Sequence, residues 1–142
     1  MTTPAVPPSL AATAELDIGV PLERAVGWFG DATNLPSWTG FFTGVDPVGA
    51  DGRHRATSLA GPITTWTETT DGDRCSEVGI CSLIGGRTER AGLTFERRDT
   101  SSSHVVFTVV VLHPVSDSAV QTQSSRMAAE LAAARAILEP AS

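Results

Sequence analysis

The order of its elements constrains this chain more than any single residue. A strand pattern over Ala12–Val20 leads into a short helical stretch ending near Asn34-Leu-Pro-Ser-Trp38. About seventy residues of strand and turn signals follow, and one long amphipathic segment, Ser118–Leu138, closes the chain. A strand, two short helices, a run of strands and a terminal helix make an α+β domain. A curved sheet that must cover one long helix leaves space between the two layers, and small molecules bind in such space.

In the first strand Ala14, Leu16, Ile18 and Val20 alternate with Thr13, Glu15, Asp17 and Gly19, which sets the even positions inward. Pro21 begins a helix where its missing N–H costs nothing, and Leu22, Ala25, Val26 and Phe29 form the apolar stripe. Gly30 and Asp31 end it, and Thr33-Asn34-Leu35-Pro36 starts a second short helix carrying Trp38. Six strands are predicted next: Phe41–Val48, Arg53–Leu59, Ile63–Thr70, Arg74–Ile84, Thr88–Arg98 and His104–His113. Turn residues separate them, among them Asp51-Gly52, Gly61-Pro62, Asp71-Gly72 and Gly85-Gly86, so the strands form an antiparallel meander. With the first strand the sheet has seven. In the last segment Val120, Met127, Leu131, Ala134 and Leu138 recur at helical spacing among many alanines. That small face lets the helix sit close to the sheet or leaves room beside it.

A chain of 142 residues suits one domain. The division read here is a mobile arm over 1–11, rich in proline, and a single ligand-pocket domain over 12–142. A net charge of −6 argues against a nucleic-acid backbone and against an anionic membrane surface. No apolar run reaches the roughly 18 residues of a membrane span, so no membrane insertion is expected. The first residues lack the pattern of a signal peptide, and the expected compartment is the cytoplasm. Cys75 and Cys81, six residues apart on one predicted strand, would lie about 20 Å from each other, too far for a disulfide. They read as two packed, reduced thiols. Neither a metal motif nor a phosphate or dinucleotide loop is present, so no metal and no cofactor is expected.

Four stretches carry a family resemblance: Val20-Pro-Leu-Glu-Arg-Ala-Val26, Asp31-Ala-Thr-Asn-Leu-Pro-Ser-Trp38, Thr65-Trp-Thr-Glu-Thr-Thr-Asp71 and the terminal helix. In this order they resemble the SRPBCC or START-like superfamily, in particular its polyketide cyclase/dehydrase-like branch, over about residues 12–138. The resemblance implies a helix-grip fold, with a seven-stranded antiparallel sheet wrapped around the C-terminal helix and a deep apolar pocket between them. It also implies a hydrophobic ligand such as a lipid, polyketide, quinone or hormone, and in some members cyclisation or dehydration without a metal. Membership alone does not choose between binding and catalysis. The chain has no tyrosine, so the phenolic acid ascribed to several enzymes of the family has no residue here.

Chemistry in such a pocket must come from acid–base side chains, and strand parity decides which of them enter it. Glu68 shares parity with Trp66, and if Trp66 is buried the two share the cavity, where desolvation would raise the carboxyl pKa. The alternative is that both face outward, or that Glu68 pairs with a neighbouring arginine. His54 lies between Arg53 and Arg55 and faces inward if they face water. His113 continues the apolar row of Val105, Phe107, Val109 and Val111. Glu68, His54 and His113 are therefore the candidate catalytic residues. Trp66, Phe107, Trp28, Phe41, Phe95, Met127 and Leu131 are the candidate substrate contacts, while Trp38 closes the helix–sheet corner. His104 is expected to be exposed, and Asp46 before Pro47 to start a turn. Arg90 and Arg98 are expected to face water, with Arg97 at the sheet edge.

Two functions remain in competition. The first is a cofactor-free cyclase or dehydratase acting on an apolar polyketide-like metabolite of secondary metabolism, and it is placed narrowly ahead. The second is a non-catalytic carrier or binding protein for a hydrophobic small molecule. A homodimer is compatible with either.

Overall fold

The computed structural model describes residues 11–110 and 117–139. The arm over 1–10 and His113 lie outside the described residues. Strand β1 (Ala11–Ile18) is followed by α1 (Leu22–Phe29), a short 3-10 turn (Ala32–Asn34) and α2 (Leu35–Trp38). Six strands come next: β2 (Phe42–Val45), β3 (His54–Ser58), β4 (Gly61–Thr70), β5 (Cys75–Ile84), β6 (Arg87–Arg97) and β7 (Ser103–Val110). Helix α3 (Asp117–Leu138) ends the described chain. The expected seven strands and three helices are all present. The expected β2 was too long at both ends, because the chain from Asp46 to Gly52 turns away from the ladder.

All neighbours in the sheet pair antiparallel, in the order β1-β7-β6-β5-β4-β3-β2. β2 to β7 form a meander, and the first strand then pairs with the last. The β5–β6 hairpin turns on Gly85 and Gly86, whose φ values of 57° and 80° suit the two-residue turns that match strand twist.

Register fixes which side chains face the helices. Thr65 stands opposite Ser82, Ile80 opposite Ala91, Leu93 opposite Phe107, and Phe107 opposite Ala14. This row belongs to the inner face. Neighbouring residues on each strand, including Trp66, Glu68, Cys81 and Arg90, therefore belong to the outer face.

The core lies between that inner face and the helices. α1 buries Leu22, Ala25, Val26 and Phe29, the stripe predicted from spacing. Pro21 is the cap of α1 rather than its first residue, with φ −60° and extended ψ. The Phe29 ring meets those of Trp28, Trp38 and Phe95 at 5.1, 5.1 and 5.3 Å between centroids. Trp38 continues the cluster to Phe107 at 5.5 Å, so it does occupy the helix–sheet corner. Helix α3 buries Met127, Leu131, Ala134 and Leu138, and packs chiefly on β1 and α2. Among the described residues no helix is long and apolar enough to cross a membrane.

The aromatic cluster makes a direct prediction. Phe29 is fully buried, and Phe29→Ala should lower unfolding stability by about 3–5 kcal/mol in a denaturant titration.

Candidate functional site

Helix α3 carries two adjacent stripes. One, Met127–Leu131–Ala134–Leu138, enters the core. The other, Ala119–Gln123–Arg126–Glu130, lines a cavity between the helix and the sheet. Both follow helical spacing, offset by less than half a turn. The cavity measures about 920 Å³, inside the usual range for small-molecule sites of about 300–1,000 Å³. Ile80, Ala91, Phe107 and Val109 make its apolar wall, and Thr39 to Phe42 close one side. Leu59, 75% exposed, stands at its margin on the β3–β4 turn.

Of the two carboxyls that line this cavity, Glu89 on β6 and Glu130 on α3, Glu130 is the less exposed. Its carboxylate Oε2 accepts the Gly40 N–H at 2.6 Å, which ties α3 to the segment before β2. Burial raises its pKa above the ordinary carboxylate value, against the lowering pull of the Gly40 N–H and the Arg126 charge. Ser82 supplies a buried hydroxyl at the cavity wall, 3.3 Å from Thr65 Oγ1, which itself donates to the Cys81 carbonyl at 2.7 Å.

The expected acid–base residues lie elsewhere. Glu68 is on the outer face and does not line the cavity. It accepts from the Cys81 thiol at 3.2 Å and stands 3.8 Å from Arg90 Nε. Gly79 makes room for that arginine, since a Cβ there would collide with the guanidinium. Trp66 is on the same outer face, with the Arg53 guanidinium 4.0 Å above its ring. The expectation that Trp66 and Glu68 enter the cavity is therefore corrected, and the outward alternative with an arginine partner is what occurs. Trp66 does not need the core because Arg53 covers it.

His54 has inner parity, opposite Thr65, but it does not line the cavity. Its Nδ1–H donates to the Asp46 carbonyl at 2.8 Å, which fastens the loop before β3. His104 is only partly exposed, because Asp17 Oδ1 holds its Nδ1 at 2.7 Å. Cys75 is exposed rather than packed, and Cys81 is buried; both are free. Burial first, and the Glu68 carboxylate second, push the Cys81 thiol up to about 11, so it is no nucleophile at neutral pH.

Of the seven expected contacts, Phe107 and Phe41 line the cavity. Phe95, Met127 and Leu131 are core residues beyond its wall, and Trp28 packs edge-on against Phe29. Arg97 pairs with Glu23 on α1, and Arg98 with Asp17 at 3.2 Å. A second hollow of about 600 Å³ lies between α1 and the β4–β5 turn, lined in part by Glu23, Asp31 and Asp71. Among the described residues no group of three or more His, Cys, Asp or Glu is placed to hold a metal ion.

Sequence reasoning missed Glu130. The signal was available: Glu130 is three residues from Met127 and four from Ala134, in one helical stripe with Gln123 and Arg126 beside the apolar seam. A lone acid beside an apolar stripe belongs at the edge of whatever that stripe covers.

No protein-family model and no curated protein matches this sequence. Solved structures do match. A START superfamily protein from Mycobacterium smegmatis superposes with a TM-score of 0.66 at 15% identity, over 91% of this chain and 97% of that one. The Aha1 dimer from Colwellia psychrerythraea gives 0.64 at 12% identity, over 92% and 96%. The di-domain ARO/CYC BexL, from the BE-7585A biosynthetic pathway, gives 0.64 at 18% identity. This chain covers 92% of itself in that match and 48% of the di-domain protein. The fold is the START-like helix-grip fold. At these identities the likeness establishes the START-like architecture and leaves the ligand to the residues of the cavity.

The raised pKa of Glu130 has a definite sign. The unfolded chain releases this proton at lower pH than the folded protein does. The corresponding stability is complete below the unfolded value and is lost as pH rises through the folded one. In Glu130→Gln the amide oxygen still accepts from Gly40, but nothing titrates. Denaturant titrations should show the stability of the variant, relative to the parent, improving as pH rises from about 4 to about 7. A difference that does not move with pH would contradict the burial of this carboxyl.

Proposed function

We propose that this protein binds an apolar small molecule in the cavity between α3 and the sheet. The observation that carries this is a cavity of about 920 Å³ with an apolar wall of Ile80, Ala91, Phe107 and Val109 and polar side chains around it from both α3 and the sheet, among them Gln123, Arg126, Glu130 and Ser82. Such a lining matches ligand sites in general, where apolar contact supplies affinity and a few polar groups supply orientation. The START-like fold shared with the mycobacterial protein supports the same reading.

A second reading, turnover of the ligand, has one specific observation in its favour. Glu130 is a partly desolvated carboxyl on the cavity wall, and burial raises its pKa above the ordinary carboxylate value. In that reading the chain is a cofactor-free cyclase or dehydratase for a polyketide-like metabolite, as the name ARO/CYC of one structural neighbour suggests. Glu130 then takes the role first assigned to Glu68. Turnover of a polyketide-type substrate by the parent and its loss in Glu130→Gln, with binding retained, would establish it. Binding with the ligand recovered unchanged would leave the carrier reading. We propose in addition a homodimer and a cytoplasmic location.

Binding itself is tested by filling the cavity. Ala91→Phe and Val109→Phe each add a ring to its wall. With N-phenyl-1-naphthylamine as a fluorescent apolar probe, each should weaken binding by about tenfold or more. Their thermal stability should stay near that of the parent, because the new rings enter empty space. Glu68→Gln, on the other face of the sheet, should leave the probe affinity within about twofold. Equal affinity in parent and both filled variants would remove the cavity as the site.

A further inference from the structure

Charge at the cavity is arranged unevenly. Arg90 lines it through its place on β6, but its guanidinium lies over Gly79 on the outer face, beside Glu68. Arg87 and Glu89 face each other at 3.7 Å on the same strand and are both well exposed. Glu130 has one carboxylate oxygen committed to the Gly40 N–H. Arg126 is different. It lines the cavity from α3, and among the described residues no carboxylate lies within 4.0 Å of it. The chain carries 16 acidic residues against 10 arginines and no lysine. Arg126 is exposed and feels the Glu130 charge about one turn along the helix, yet none of the described carboxylates closes on it, so at the rim of an apolar cavity its guanidinium keeps N–H donors for a further anion.

We propose that the cavity takes an amphiphile, an apolar body with one oxyanionic head, and that the Arg126 guanidinium pairs with that head. This rests on the binding function proposed above and adds the class of ligand. A guanidinium offers two parallel N–H donors to a carboxylate or a phosphate monoester, the shared chemistry of the two heads. The body then lies along Phe107, Val109 and Ala91, one wall away from the helix. On the sheet wall Ser82 offers only a neutral hydroxyl and Arg87 already stands beside Glu89, so the charged head is assigned to Arg126 on α3. The burial that disfavours charge on Glu130 also lessens its repulsion of an anionic head.

The test compares ligands of one chain length, dodecanoate, dodecyl phosphate and dodecan-1-ol, by displacement of N-phenyl-1-naphthylamine below their micelle concentrations. The parent should bind one or both anions about fivefold or more tighter than the alcohol, with the margin shrinking in high salt. Arg126→Met keeps much of the apolar stem and removes the charge. It should bring the anions and the alcohol to similar affinity while leaving the alcohol unchanged. Arg135→Met, an exposed residue of the same helix that does not line the cavity, should keep the preference. Preference for dodecanoate alone or for dodecyl phosphate alone identifies the head. If the alcohol binds the parent as well as the anions do, or Arg126→Met keeps the preference, the inference falls and the apolar site stands. If none of the three displaces the probe, the inference falls; if the cavity-filling variants also leave probe binding intact, the proposed site falls with it.

Discussion

The seating of α3 on the edge of the sheet governs everything else in this fold. Met127, Leu131, Ala134 and Leu138 form a narrow seam, three of its four side chains large and one only a methyl, and it packs chiefly on β1 and α2. A helix drawn to that edge does not cover the inner face of β4, β5 and β6. The aromatic cluster of Phe29, Trp38, Phe95 and Phe107 fills part of the interior that remains. The rest stays open as the cavity. Burial of each large side chain in the seam or the cluster contributes about 1.5–3 kcal/mol.

Gly40 joins the two halves of this arrangement. Its N–H donates to Glu130, and the segment it belongs to, Thr39 to Phe42, walls one side of the cavity next to the helix. One hydrogen bond to a charged oxygen is worth about 1.5–3 kcal/mol when its geometry is good. Here it sets the distance between α3 and the start of β2, and with it the width of the site. The same bond explains why Glu130 is not simply expelled to solvent: desolvation works against the carboxylate, and the Gly40 amide and Arg126 work for it.

Much of the fold was legible in the sequence because its punctuation is strong. Asp-Gly and Gly-Gly pairs separate the strands, and Gly85-Gly86 supplies two positive φ values where a tight hairpin needs them. The α1 stripe and the α3 seam also follow from spacing alone. Parity in β4 was the failure. That strand reads Ile63, Thr64, Thr65, Trp66, Thr67, Glu68 and Thr69, with threonines on both faces, so alternation carries almost no signal. Size suggested that Trp66 was inside. Pairing decides otherwise: Thr65 Oγ1 is satisfied by the Cys81 carbonyl, and Thr67 Oγ1 by the Gly30 carbonyl at 2.5 Å, so the hydroxyls can be buried. Trp66 is left to the outer face, where Arg53 covers it. Nothing in the sequence places Arg53 over Trp66, since the contact depends on the β3–β4 register.

The same displacement changes what chemistry the site can do. With Glu68 outside and His54 held to the Asp46 carbonyl, two of the three groups expected to work as acid and base are absent from the cavity. A mechanism built on Glu130 alone, without the more exposed Glu89, uses one carboxyl in both directions, accepting a proton at one atom of the substrate and returning it at another. That limits catalysis to reactions whose two proton positions lie within reach of a single residue, as in enolisation followed by loss of water. Binding makes no such demand. It needs only an apolar wall, a way in, and polar groups on one side. Arg126, Gln123 and Glu130 bring polar groups to the cavity from one helix, and Ile80, Ala91, Phe107 and Val109 bring its apolar wall from the sheet.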